Sequence, residues 1–252
     1  MENHLLPKII ISCEHAGNKI PARYSHFFRK AEEVLNSHRG WDPGALGLAQ
    51  AIAKQLGAPL YKLEISRLLI EVNRSIGHPE LFSEFISVLP ETNKRQLINR
   101  YYLPYRESVE EKIKELNRSG NMVLHLGIHT FTPVYNNKIR SCDIGLLYDP
   151  ARAYEKQYCD LLKVHLKQNL PHLNILSNQP YKGVDDGLTT YLRNRINESQ
   201  YLGIELEVNQ RFLNQKNQIP QDIRQAIVHS IEQTRLIPGS TPGINSFNNP
   251  AV

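Results

Sequence analysis

Two apolar runs that end in histidine constrain this chain more than any other feature. One is Ile9-Ile10-Ile11-Ser12-Cys13-Glu14-His15; the other is Met122-Val123-Leu124-His125-Leu126-Gly127-Ile128-His129, continuing into Thr130-Phe131-Thr132-Pro133. Each run is continuous rather than alternating, as in a strand covered on both faces by helices, and in open α/β sheets ligands sit beyond the carboxyl ends of such strands. The expectation is an α/β fold that brings two imidazoles to one mouth, where a divalent metal can use them. A lone histidine is more often a hydrogen-bonded structural residue. Here both are followed by Gly, Asn, Thr or Pro turn chemistry, which favours a shared role at the sheet edge.

A chain of 252 residues is long enough for one large α/β domain. We assign residues 1–236 to that domain and residues 237–252, rich in Gly, Ser, Asn and Pro with little to bury, to a flexible C-terminal tail. Lysines and arginines total 30 against 25 acids, a net charge of +5 spread without a basic run, so no nucleic-acid partner is expected and a small anionic substrate fits. The three cysteines, Cys13, Cys142 and Cys159, lack CxxC spacing, which argues against a disulfide framework or a thiolate zinc site. No apolar run reaches membrane-spanning length and the N-terminus does not read as a secretory signal; the expectation is a cytoplasmic protein with no membrane partner. Oligomeric state is not readable from the sequence.

Asp42-Pro43-Gly44-Ala45 reads as a helix start with Asp42 as N-cap and Pro43 as first helical residue, the helix running to Gly57-Ala58-Pro59. A strand is expected at Leu68 to Val72. A long polar helical region follows from about Glu91 to Asn117, interrupted near Pro104. The second half alternates a strand at Ile144 to Tyr148, a helix from Ala151 to about Leu170, a short strand at Leu173 to Ser177, a strand at Tyr201 to Val208 and a helix from Gln218 to Leu236.

A catalytic zinc takes three protein ligands and leaves a position for water or substrate. Beside His15 and His129, the third can be Asp42, if it is more than a helix cap, or Glu14, although that side chain should point away from the side His15 faces. Asn18 has an amide oxygen, a poor zinc ligand. Arg67 and Arg74 flank the strand expected at Leu68 to Val72, and Arg74 with Asn73 can clamp a carboxylate through paired N–H bonds. Glu205 and Glu207 share one face of their strand. Acids in so apolar a strand are costly to bury unless a metal, an arginine or a reaction uses them, and Glu207, nearer the carboxyl end, is the better general base. The alternative is an edge strand with a solvated acidic face.

Seven collinear segments together resemble the N-formylglutamate amidohydrolase family. They are residues 12–21 around Cys13-Glu14-His15-Ala16-Gly17, Trp41-Asp42-Pro43-Gly44-Ala45, Ser66-Arg67 with Asn73-Arg74, His129-Thr130-Phe131-Thr132-Pro133, Asp143-Ile144-Gly145-Leu146-Leu147, Asn178-Gln179-Pro180-Tyr181 and Glu205-Leu206-Glu207-Val208-Asn209-Gln210. The resemblance implies a zinc carboxypeptidase-like fold, a mixed, mostly parallel central sheet between helices. It further implies Zn²⁺ on His15, His129 and a third ligand, chosen here as Asp42, with Glu207 promoting water. Arg67 would polarise the scissile carbonyl, and Asn73 and Arg74 would hold a carboxylate-bearing small molecule such as N-formylglutamate. Thr189-Thr190-Tyr191-Leu192-Arg193 departs from the family in carrying no histidine. The rival readings are a zinc peptidase or cell-wall amidase acting on a larger peptide, and a binding protein that kept the fold without catalysis.

Overall fold

In the computed structural model, which describes residues 6–235, the apolar runs become the interior strands of a six-stranded sheet. The strands are β1 (Lys8–Cys13), β2 (Leu60–Lys62), β3 (Val123–Phe131), β6 (Ile144–Leu147), β7 (Ile175–Ser177) and β8 (Tyr201–Asn209), while β4 (Val134–Tyr135) and β5 (Lys138–Ile139) form a separate hairpin. The sheet order is β2-β1-β3-β8-β6-β7. The first four strands in that order run parallel; β6 and β7 run parallel to each other, and β6 is antiparallel to β8. This is the mixed, mostly parallel sheet of a single α/β domain.

The continuous apolar pattern follows from two-sided burial. Ile9 and Ile11 enter one apolar layer with the helices α2 (Ala45–Leu56), α5 (Ala153–Asn169) and α7 (Gln221–Gln233). Ile10 and Val123 face the other layer, with α4 (Leu103–Arg118) and α6 (Leu188–Arg193). Alternate residues therefore meet different helices, and neither face tolerates a polar residue without a partner. Two shorter helices, α1 (Glu32–Asn36) and α3 (Glu91–Leu97), complete the set. From α3 the chain passes through a π-helical turn, Ile98–Tyr102, straight into α4, so Pro104 sits in the first turn after the turn of wider pitch.

Two sequence expectations change. Leu68 to Val72 is not a strand: residues 67–69 turn, and Leu69 and Ile70 donate their amides back to Ser66 O. Its apolar side chains are buried all the same, in the second layer, which is why its composition imitates a core strand. On the side of β1 away from β3 the sheet ends in β2, three residues long and too short to carry a pattern. Finally, α2 begins after Gly44, whose φ of 87° suits glycine, so Pro43 lies outside the helix and the Asp42 carboxylate is released from capping. The expected tail, residues 237–252, lies outside the described residues.

β6 pairs with β8 only over residues 205–208, leaving the start of β8 without a strand on that side. A buried charged group takes its place. Glu155 on α5 accepts from Gly203 N at 2.9 Å and from Arg193 Nε at 3.0 Å. Arg193 donates to Gly203 O, and Arg152 Nη2 donates to Tyr201 O at 3.0 Å. The backbone groups that a strand would have satisfied are thus paired.

Inside the sheet, His125 lies 2.7 Å from Ser12 Oγ and 2.8 Å from the Tyr201 hydroxyl. Burial lowers its pKa from 6.5 to about 4. The unfolded chain therefore binds this proton first as pH falls, and the stability contributed by neutral His125 is present above pH 6.5 and lost on the way down to pH 4. With about 1.4 kcal/mol per unit, the loss is on the order of 3 kcal/mol. In chelator, urea midpoints of the wild type should therefore fall more steeply across this window than those of His125→Asn. Parallel slopes would show that His125 titrates alike in both states.

Candidate metal centre and active site

Because β1 and β3 are parallel neighbours, His15, just past β1, and His129, near the end of β3, meet at one sheet edge with ring centroids 5.2 Å apart. Asp42 closes the group from the loop before α2, its amide donating to His15 O at 3.0 Å. Its Oδ2 stands 3.2 Å from His15 Nδ1 and 2.9 Å from His129 Nδ1. All three residues are buried, and one ligand atom from each lies within 4.8 Å of the others. The structure thus brings together the two predicted histidines and the acid selected from the alternatives.

The other candidates have different partners. Asn18 turns its amide to Leu35 O and Asn36 Oδ1, tying down α1. Glu14 lies behind the cluster, its Oε2 3.2 Å from the far nitrogen of His129, Nε2. Glu71, which the sequence reading passed over, does the same for His15: its Oε1 is 2.7 Å from His15 Nε2 and accepts from Asn73 N at 2.9 Å. An acid inside Leu69-Ile70-Glu71-Val72 was a usable signal, by the same burial argument that drew attention to Glu205 and Glu207.

Glu14, Asp42, Glu71 and Glu207 are all nearly inaccessible, and Arg67 is a cation set directly among them. Buried charge on this scale requires compensation. Part comes from protons: burial alone would depress His129, but the hydrogen bonds and charges of Asp42 and Glu14 outweigh it and hold its pKa well above the ordinary value. The excess of buried acid around two imidazoles suits a divalent cation, and His15, Asp42 and His129 are the group that could hold one.

Glu207 lies on β8 in register with His129 on β3. β8 is an interior strand, so the edge-strand alternative falls. Burial pushes the Glu207 carboxyl up to about 7, against the pull of His129 and helped by Asp42 and Glu205. Its Oε2 is buried with no hydrogen-bond partner. Glu205, on the same face, is partly exposed and accepts from Thr189 Oγ1 at 3.1 Å.

Arg67 and Arg74 flank a loop rather than a strand, yet both line the same cavity as the histidines, of about 220 Å³. Arg67 Nε donates to Glu71 Oε2 at 2.6 Å, and its Nη1 is 3.4 Å from Asp42 Oδ1. Arg74 Nη1 donates to Asp186 O at 2.7 Å and to Asn73 O at 3.1 Å. Asn73 spends its side-chain oxygen on Leu188 N at 2.7 Å, joining this loop to α6. Tyr135 and Tyr181 form the rim, with the Arg140 guanidinium 4.7 and 5.0 Å from their rings. A Cβ on Gly145 would lie 2.0 Å from Gln179 O, so only glycine in β6 lets the loop carrying Tyr181 pass this close.

His15, His129 and Glu207 gather at the carboxyl ends of parallel strands, with Asp42, Arg67 and Arg74 brought to them from loops, and the family match below makes this α/β domain a hydrolase acting on an amide bond. The chain belongs to the N-formylglutamate amidohydrolase family, which matches residues 8–213. Among solved structures it is similar to a gene product of Agrobacterium tumefaciens, with 26% identity and a TM-score of 0.75 over 90% of this chain and 91% of that one. It is also similar in fold to the N-formylglutamate amidohydrolase of Ralstonia eutropha JMP134, with 16% identity and a TM-score of 0.72 over 93% and 95% of the two chains. No curated protein matches. No helix of the described residues is long and apolar enough to cross a membrane.

Proposed function

We propose that the chain is a zinc-dependent amidohydrolase that removes the acyl group, formyl above all, from an N-acyl amino acid such as N-formylglutamate. The observation that carries this is the unpartnered, buried Oε2 of Glu207 beside the His15, Asp42 and His129 cluster in one small cavity. Zinc fits the donor set: with zinc–nitrogen bonds of about 2.0–2.1 Å, the edges of a tetrahedral site are about 3.3 Å. The Asp42 oxygen stands near that spacing from both Nδ1 atoms, at 3.2 and 2.9 Å. A zinc ion supplies Lewis-acid chemistry at this position.

The chain's own residues divide the rest of the reaction. Glu207 accepts a proton from the attacking water at its free oxygen while the water oxygen bonds to the acyl carbon, then passes the proton to the nitrogen as the C–N bond breaks. The products are a carboxylic acid and the free amino group. Arg67, held by Glu71 and Asp42, places a fixed positive charge beside the developing oxyanion. Arg74 and Asn73 hold the substrate carboxylate.

A cavity of about 220 Å³ is below the roughly 300–1,000 Å³ of drug-sized ligand sites, which favours a single amino-acid derivative over a peptide strand. The direct test compares formate release from N-formylglutamate with amino-acid release from short peptides; turnover of peptides alone would reject the assignment. Arg74→Lys keeps the charge but loses the planar fork, and should raise KM by about tenfold or more, the worth of one charge-assisted bond. Amidating the substrate carboxylate should then penalise the wild type more than the variant, and equal penalties would remove Arg74 from that contact.

A further inference from the structure

We propose that Tyr105 and Glu14 are positioning residues of the metal centre, with the Tyr105 hydroxyl fixing Glu14 and Glu14 fixing the ring of His129. The proposal rests on the reading of His15, Asp42 and His129 as metal ligands. A histidine ligand needs its far nitrogen held by an acceptor, which sets both the tautomer and the direction of the ligating lone pair. Each histidine here has a carboxylate behind it, but the two carboxylates are held differently.

Glu71, behind His15, is anchored by Arg67 Nε at 2.6 Å and by Asn73 N at 2.9 Å, so a cation and a backbone amide fix it. Glu14, behind His129, has no such cation. Its Oε1 accepts from the Tyr105 hydroxyl at 3.1 Å, and its Oε2 lies 3.2 Å from His129 Nε2, a close charge contact between two buried atoms that have no hydrogen-bond partner elsewhere. Tyr105 reaches it from α4 on the far side of the sheet, and both side chains are buried. Glu14 therefore offers His129 a carboxylate that no arginine or lysine anchors, and its aim depends on hydroxyls, that of Tyr105 on Oε1 and that of Ser12 beside it. Loss of the Tyr105 hydroxyl strands Oε1 in the core and leaves Ser12 as the remaining restraint on the carboxylate, which loosens its aim at the imidazole.

The test challenges the zinc-loaded full chain with a chromophoric chelator and records the visible spectrum of the cobalt-substituted protein. Glu14→Gln should weaken zinc retention about 10–100-fold, the usual cost of losing such a partner. Tyr105→Phe, which removes a single oxygen atom and preserves packing, should weaken it by about tenfold, and both changes should alter the cobalt bands. Since Tyr105 acts through Glu14, the double variant should be no weaker than Glu14→Gln. Tyr158→Phe is the control, a buried tyrosine on α5 whose hydroxyl has no partner; it should leave zinc retention unchanged.

Wild-type retention and an unchanged cobalt spectrum in Tyr105→Phe would overturn the proposal, even if the variant melts earlier. Additive losses in the double variant would overturn the route through Glu14. A wild type that takes up no zinc, or one whose zinc survives His129→Ala, would instead overturn the ligand reading, and this proposal with it.

Discussion

Glu207→Gln should lower kcat by about 10²-fold to 10⁴-fold while zinc content and substrate affinity stay close to the wild-type values, the effect of deleting a positioned general base. The amide keeps the volume of the carboxylate, so neither the strand nor the cavity need move. It cannot accept and return a proton. The free Oε2 separates this acid from its neighbour in the cavity: Glu205 has one oxygen on Thr189 Oγ1 and is partly exposed, whereas Glu207 Oε2 is buried and unpaired next to the histidine cluster. Glu205→Gln is therefore the internal control and should keep most of the activity. Single-turnover and steady-state assays on both variants would settle the assignment, and the reverse pattern would exchange the two roles.

How much of this was legible depended on whether the cause was local. β1, β3 and β8 are sandwiched, and two-sided burial writes itself into the sequence as an unbroken apolar run, so their existence and the position of their ends could be read directly. The histidines were found because they sit at those ends. Leu68 to Val72 misled for the same reason: burial by α4 and its neighbours selects the same residue types whether the backbone is a strand or a turn. Asp42 looked like a cap because Asp-Pro-Gly begins many helices, and only the tertiary approach of two imidazoles gives its carboxylate other partners.

Glu71, Glu14 and Tyr105 mark the opposite limit. Their partners lie 56, 115 and 91 residues away, respectively: His15 for Glu71, His129 for Glu14 and Glu14 for Tyr105. No spacing rule links them. What remained visible was the anomaly of an acid inside an apolar segment, which marks a residue as needing a partner without naming it. Arg193 illustrates the same point: it stands in the stretch where the resemblance led us to expect a histidine, and its guanidinium is committed to Glu155 and to the side of β8 that β6 does not reach.

His15→Ala and His129→Ala should each abolish stoichiometric zinc, bringing a chain that holds about one ion to near none, and hydrolysis should disappear with it. The reason is coordination number. With three protein ligands and one open position, removal of an imidazole leaves two donors, and water must supply the rest without the strand that fixes the geometry. Asp42→Ala should have the same effect, since its Oδ2 is the atom both imidazoles approach. Asn18→Ala should leave zinc in place, because the Asn18 amide serves Leu35 O and Asn36 Oδ1 instead. The fold should survive all four changes: the layers on either side of the sheet are apolar and continuous without these side chains, and truncating Asp42 also removes a buried charge. Elemental analysis with circular dichroism on each variant decides the matter. Full zinc in either histidine variant would strike that residue from the site, and zinc lost from Asn18→Ala but kept by Asp42→Ala would move the third ligand to the other loop.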